Sequence, residues 1–155
     1  MDAHSIYKAT EGEGIFLGTP QVFIRYQGCE VGCANCDSKD TWSFRGGKVF
    51  TTEIVLECCR EAGFSEKRRR ISITGGDPLD PKHASSVFEI IHELKQLGAW
   101  INIEAAGDKF NKDILHQSKL INYFNGDFAK SKIEKDLNNY LKKIKKDKKY
   151  FLSKK

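Results

Sequence analysis

The feature that most restricts how this chain can fold is the stretch Gly28–Trp42, GCEVGCANCDSKDTW, in which Cys29, Cys33 and Cys36 are spaced CxxxCxxC. Thiols this close together have to be presented by one loop held at both ends. The residues before it, Val22–Tyr26 (VFIRY), are β-branched or aromatic apart from Arg25, and they read as a buried strand. The cysteines then occupy the loop at the C-terminal end of that strand. In parallel α/β sheets that is the end at which functional loops gather.

The rest of the chain alternates short β-like runs with helical ones, the pattern of an α/β fold with a mainly parallel sheet. Residues 10–20 (TEGEGIFLGTP), rich in glycine and closed by a proline, read as an exposed loop. Thr51 or Thr52 can cap a helix running to Ala62 and ended by Gly63, with Ile54, Val55, Cys58 and Cys59 on its apolar side. Ile71–Thr74 is a second strand, which delivers Thr74-Gly75-Gly76-Asp77-Pro78-Leu79 to the same end of the sheet. A helix follows with Asp80 at its N-cap and Pro81 at its first position. Ala84, Val87, Phe88, Ile91 and Leu94 form its apolar stripe, and Gly98 lies just past its end. Trp100–Glu104 is a third strand, a short helix is expected around Lys112–Ser118, and Leu120–Phe124 is a fourth strand. There is no internal repeat.

Composition narrows the function classes. The 155 residues suffice for one domain with its own core, and no apolar stretch approaches the ~20 residues that cross a bilayer. An odd count of five cysteines, three of them clustered, fits metal ligation in a reducing compartment better than a disulfide framework, so a soluble cytoplasmic protein is expected. The net charge of +5 is localised: residues 130–155 carry +8 and the remaining 129 residues sum to −3. Ile133, Leu137, Tyr140, Leu141 and Ile144 recur there at helical spacing, so this segment reads as a lysine-rich amphipathic helix with a solvated basic face. Nucleic acid is therefore not an expected partner, and neither is a membrane.

Thiolates select zinc or iron–sulfur clusters, and a structural zinc needs four protein ligands. Only three cysteines cluster here, and His4, His83, His92 and His116 are all remote from them in sequence. A zinc site would have to recruit Cys58, Cys59 or a distant histidine. Three thiolates on a four-iron cluster leave one iron open to an exogenous ligand, and the ligand set favours that arrangement. The non-enzymatic alternative is a cysteine-cluster metal-binding module whose basic tail contacts nucleic acid.

CxxxCxxC in this setting resembles the signature of the radical S-adenosylmethionine enzymes. In those enzymes the open iron of a 4Fe-4S cluster chelates S-adenosylmethionine, whose reductive cleavage yields a hydrogen-abstracting radical. Gly75-Gly76-Asp77 resembles their GGE segment, with an acid one methylene shorter. The flanks EGEGIFLGTPQVFIRYQGC, CANCDSKDTW and ITGGDPLDPKH resemble the 7-carboxy-7-deazaguanine synthases of queuosine and deazapurine biosynthesis, over about Thr10 to Glu104. Those enzymes convert 6-carboxy-5,6,7,8-tetrahydropterin to 7-carboxy-7-deazaguanine with loss of ammonia.

The resemblance implies a partial, open (β/α) barrel of radical S-adenosylmethionine type, a single domain over residues 1–155 that is shortened at the C-terminus. It implies that Cys29, Cys33 and Cys36 hold the cluster, and that Asn35, Cys36, Asp37, Gly75, Gly76, Asp77 and Glu104 lie against S-adenosylmethionine. Ser38 falls where the family has a Mg²⁺-binding threonine, and serine keeps that hard oxygen ligand. Thr10, Glu11, Gly12, Arg25 and Thr74 align with substrate contacts; Arg25 suits a carboxylate. Glu11 stands where glutamine is frequent, and IEAAG around Glu104 replaces ETxG. A flavodoxin is the family's usual kind of electron donor, and exposed sheet edges suggest a homodimer. The anaerobic ribonucleotide reductase activating enzymes share GGDPL and the cysteine spacing. They are the alternative, but the GEGIFLGTP segment suits a small-molecule site better than a protein-docking surface.

Overall fold

The computed structural model describes residues 1–13, 16–108 and the backbone of 120–124. Its strands are β1 (Asp2–Thr10), β2 (Pro20–Tyr26), β3 (Lys48–Val49), β4 (Arg70–Gly75), β5 (Trp100–Ala105) and β6 (Leu120–Phe124), with helices α1 (Thr52–Glu61) and α2 (Ala84–Gln96). They form one sheet in the order β3-β1-β2-β4-β5-β6. β2, β4, β5 and β6 run parallel, whereas β1 is antiparallel to both β2 and β3.

The four expected strands are present, and two antiparallel ones join them. The segment of residues 10–20 is also less irregular than expected. Thr10 belongs to β1, the Glu11 N–H donates to the Thr19 carbonyl at 2.9 Å, and the Gly18 N–H to the Glu11 carbonyl at 2.8 Å, which makes it the end of the β1–β2 hairpin.

Period-two alternation divides the sheet into two faces. Val22, Ile24 and Tyr26 of β2, Ile71 and Ile73 of β4, and Ile101 and Ile103 of β5 are buried in the apolar core. The helices cover that face with Val55 and Cys59 from α1 and Val87, Ile90, Ile91 and Leu94 from α2. Two positions assigned to helix stripes prove exposed: Ile54 at 41% and Phe88 at 38%, with Ile90 taking the core position. α1 starts as expected, the Thr51 side chain accepting from the Ile54 N–H.

α2 starts at Ala84 rather than at Pro81, a correction with a local cause. The Asp80 carboxylate accepts from the Lys82 N–H at 3.0 Å, and the His83 N–H donates to the Asp80 carbonyl at 2.9 Å. These bonds close a separate turn before the helix, one whose geometry proline tolerates as well as it tolerates a first helical turn. The expected helix around 112–118 and the amphipathic segment 130–155 lie outside the described residues. Among the described residues no helix is long and apolar enough to cross a membrane.

Candidate cluster and substrate site

The face of the sheet opposite the helices is built from the other half of each strand. Gln21, Phe23 and Arg25 alternate along β2, Arg70, Ser72 and Thr74 along β4, and Trp100, Asn102 and Glu104 along β5. The register aligns them in rows, with Phe23 beside Ser72, Ser72 beside Asn102, and Arg25 beside Thr74. Ile73 pairs with Ile103, so Glu104 extends the Arg25–Thr74 row. That row ends at the C-terminal edge of the strands, where the cysteine loop begins.

The cysteine loop is fastened to the turn after β4. The Gly76 N–H donates to the Tyr26 carbonyl at 3.0 Å and the Asp77 N–H to the Gly28 carbonyl at 2.9 Å. His83 is buried, its Nε2 3.3 Å from the same Gly28 carbonyl and its ring against Tyr26 on one side and Phe44 on the other. A Cβ at Gly76 would collide with the Gly28 backbone, and Gly75 has φ +86° with the Arg25 stem packed over it. These glycines are thus required by the joint between the two loops. Asp77 is fully buried, and its Oδ1 accepts from the Leu79 N–H at 3.1 Å, so its carboxylate shapes its own turn.

Within the loop all three cysteines are free and half-buried. The Cys36 N–H donates to the Cys33 carbonyl at 3.1 Å, folding the second half of the motif into a tight turn. Cys36 Sγ accepts from the Trp42 indole N–H at 3.3 Å and from the Ser38 N–H at 3.4 Å. Burial pushes the Cys29 thiol up, and the Val31 and Gly32 N–H groups oppose that shift. Sulfurs that receive N–H donors are the environment in which iron–sulfur thiolates are held. Among the described residues, no three His, Cys, Asp or Glu side chains close on a single metal ion. A four-iron cluster does not ask for that, since each thiolate takes a different iron, and the donor set fits such a cluster.

Ser38 Oγ donates to Asp37 Oδ1 at 3.0 Å, so the hydroxyl expected to meet Mg²⁺ lies beside a carboxylate, while Asn35 is exposed. Arg25 makes no ion pair among the described residues. Its guanidinium lies 5.6 Å from the Tyr7 ring centroid, and its Nε is buried without a hydrogen-bond partner. Beneath it, Glu11 reaches from the hairpin across β2 to β4 and β5, and Glu104 accepts from Ser72 Oγ at 2.8 Å. Burial raises the Glu104 carboxyl above its ordinary value, and the Glu11 charge adds to the lift.

The structure therefore brings Glu11, Arg25, Thr74 and Glu104 onto one face below the cysteine loop. It does not bring Thr10 there: Thr10 alternates with Ile6 and Lys8 onto the helix-bearing face, and Gly12 is exposed. Sequence reasoning missed Tyr7, Gln21, Phe23, Ser72 and Asn102. The polar members of β4 and β5 were visible as alternation in R-I-S-I-T and W-I-N-I-E, whereas Tyr7 sits on a strand that had gone unnoticed.

Comparison with known proteins agrees with this geometry. The chain is 35% identical over 104 residues to the 7-carboxy-7-deazaguanine synthase of Aquifex aeolicus, covering 67% of this chain and 44% of that protein. It is 35% identical over 120 residues to the synthase of the same name from Escherichia coli strain K12, covering 67% and 52%. The chain spans about half the length of these curated relatives. The crystal structure of QueE from Escherichia coli superposes with a TM-score of 0.60 at 23% identity, over 77% of this chain and 69% of that one, which shows a shared fold. The model of the family described as 4Fe-4S single cluster domain matches residues 10–151, and with Cys29, Cys33 and Cys36 presented at the end of β2 the chain belongs to that family.

Proposed function

We propose that this protein is a radical S-adenosylmethionine synthase that converts 6-carboxy-5,6,7,8-tetrahydropterin to 7-carboxy-7-deazaguanine with release of ammonia, on an open (β/α) barrel. The observation that carries this reading is the junction of the cysteine loop with the Gly75–Asp77 turn, directly above the row Arg25–Thr74–Glu104. When bound, the 4Fe-4S cluster supplies the electron that cleaves S-adenosylmethionine. Cys29, Cys33 and Cys36 are its ligands.

The chain's own residues position the reactants. The main chain of Gly75 and Gly76, shaped by Asp77, holds the methionine end of S-adenosylmethionine beside the Asn35–Asp37 segment, with Glu104 facing the same cofactor. Arg25 has no carboxylate partner among the described residues, so its guanidinium is available for the substrate carboxylate. Thr74 and Glu11 complete the polar floor. Ser38 would offer its hydroxyl to a Mg²⁺ ion, a hard oxygen ligand for a hard cation, and a flavodoxin-type protein would be the electron donor. A cytoplasmic homodimer formed through sheet edges is the assembly this reading entails.

Anaerobically reconstituted protein, given the carboxytetrahydropterin, S-adenosylmethionine, Mg²⁺ and a reductant, should form 7-carboxy-7-deazaguanine and ammonia. Arg25→Ala should lower kcat/KM by about 100-fold, the size expected when hydrogen bonds between charged groups are lost. Reconstituted protein that cleaves S-adenosylmethionine yet yields no deazapurine would overturn the substrate assignment.

A further inference from the structure

Two carboxylates from distant parts of the chain meet under the site, and among the described residues neither forms an ion pair with a basic side chain. Glu11 is 4% exposed and comes from the hairpin between β1 and β2; Glu104 comes from the end of β5. What lies between them is neutral: Gln21 and Ser72, each 0% exposed, and Asn102 at 3%. Gln21 Nε2 donates to Glu11 Oε2 at 2.5 Å and to Ser72 Oγ at 3.0 Å. Asn102 Nδ2 lies 2.6 Å from Ser72 Oγ and 3.2 Å from both Glu11 Oε2 and Glu104 Oε1, so its two N–H groups are shared among three acceptors.

The serine hydroxyl has one proton and two lone pairs. With both lone pairs taken by the amides, its proton goes to Glu104 Oε1 at 2.8 Å, the shorter of its two carboxylate contacts. Ser72 and Asn102 thereby touch both acids and are cross-strand neighbours in the register of β4 and β5. The orientation of the Asn102 amide is fixed by the same contacts, because reversing it would aim its oxygen at two carboxylates.

We infer that Ser72 and Asn102 are positioning residues that fasten the Glu11 and Glu104 carboxylates together, docking the β1–β2 hairpin loop onto the sheet and setting the polar floor on which the substrate rests. The part concerning substrate rests on the synthase reading above; the docking part stands by itself. The two carboxyl groups also meet directly, and once both are ionised they repel, so the amide and hydroxyl donors are what then hold the loop down. Among the described residues the charged or titratable groups around the pair are Tyr7 on β1, Glu13 in the loop, Arg25 on β2 and Arg70 on β4. α2 turns only Val87, Ile90, Ile91 and Leu94 toward the sheet, from the opposite face.

The test compares Asn102→Ala with Asn102→Asp in the full-length protein. A side chain that only fills space is replaced better by the isosteric aspartate. A donor between two carboxylates is replaced worse by it, because the donor is lost and a third acid is added. Amide hydrogen exchange at Glu11, Gly18 and Thr19, followed at neutral pH, should accelerate about tenfold in Asn102→Ala and Ser72→Ala and further in Asn102→Asp. Adding Glu11→Gln to Asn102→Asp should restore most of the protection, as should lowering the pH. In turnover, KM for the carboxytetrahydropterin should rise about tenfold in Asn102→Ala with kcat changed by less than about threefold. Equal exchange in the Ala and Asp variants, with no rescue by Glu11→Gln, would overturn the docking role. Failure of turnover in the wild-type protein while the exchange pattern holds would overturn only the synthase reading.

Discussion

Gly76 has no room for a side chain, because a Cβ there would collide with the Gly28 backbone one residue before the first cysteine. Gly76→Ala should therefore cost about 2 kcal/mol in urea unfolding and impair cluster reconstitution, through displacement of the cysteine loop. Trp42→Phe keeps the ring but removes the N–H donor to Cys36 Sγ, so the reconstituted cluster should show a more negative reduction potential in a redox titration. Glu104 binds its proton more tightly folded than unfolded, since burial and the Glu11 charge both lift its carboxyl. Its contribution to stability is complete below the ordinary carboxylate value and is lost as pH rises through its higher folded value. The urea midpoint should accordingly decline across that window, and Glu104→Gln should flatten the decline. Cys29, Cys33, Cys36 and Arg25 were legible as single residues because thiols at that spacing, or an arginine inside an apolar strand, are chemically conspicuous. Ser72 and Asn102 were not, because a serine and an asparagine acquire a role only from what faces them across the sheet.

The elements most easily read were those whose patterns are local. β4, α1 and β5 carry their own alternation, stripe or cap, and α2 differed in where it begins and in burying Ile90 rather than Phe88. β1 reads DAHSIYKAT, with apolar residues too sparse and polar ones too frequent for a propensity argument, and it is a strand because β2 offers it a ladder from Ala3 to Thr10. β3, at two residues, is set wholly by its pairing with β1. The joint between the β2 loop and the β4 turn is likewise tertiary. His83, read at first only as one of four scattered histidines, proves to be its pin. Burial lowers the His83 pKa, so the folded protein holds it neutral. Stability from this group is complete above the ordinary imidazole value and is lost as pH falls, because the unfolded chain takes up the proton first. His83→Ala should loosen the 28–42 segment in hydrogen exchange well before it affects α2.

At the scale of the whole molecule, the two faces of the sheet divide the labour: α1, α2 and the apolar core on one, the polar rows and cysteine loop on the other. Reconstitution of the cluster should raise Tm by about 5 °C, as expected for a ligand bound only by the folded state, and chelation should return it to the apo value. The alternation of β-like and helical runs anticipated the parallel part of this arrangement, and the 0.60 superposition on a solved structure agrees with it. The antiparallel β3-β1 edge was out of reach, since it depends on pairings between residues far apart in the chain. The strict alternation within β2, β4 and β5 has one more consequence. A strand that entered the sheet one residue out of register would push Arg25, Ser72 or Asn102 into hydrocarbon and turn isoleucines toward water. The residues of the site thus act as a proofreading code for assembly. Replacing them with apolar side chains to gain stability would remove the penalty that keeps misaligned sheets from forming.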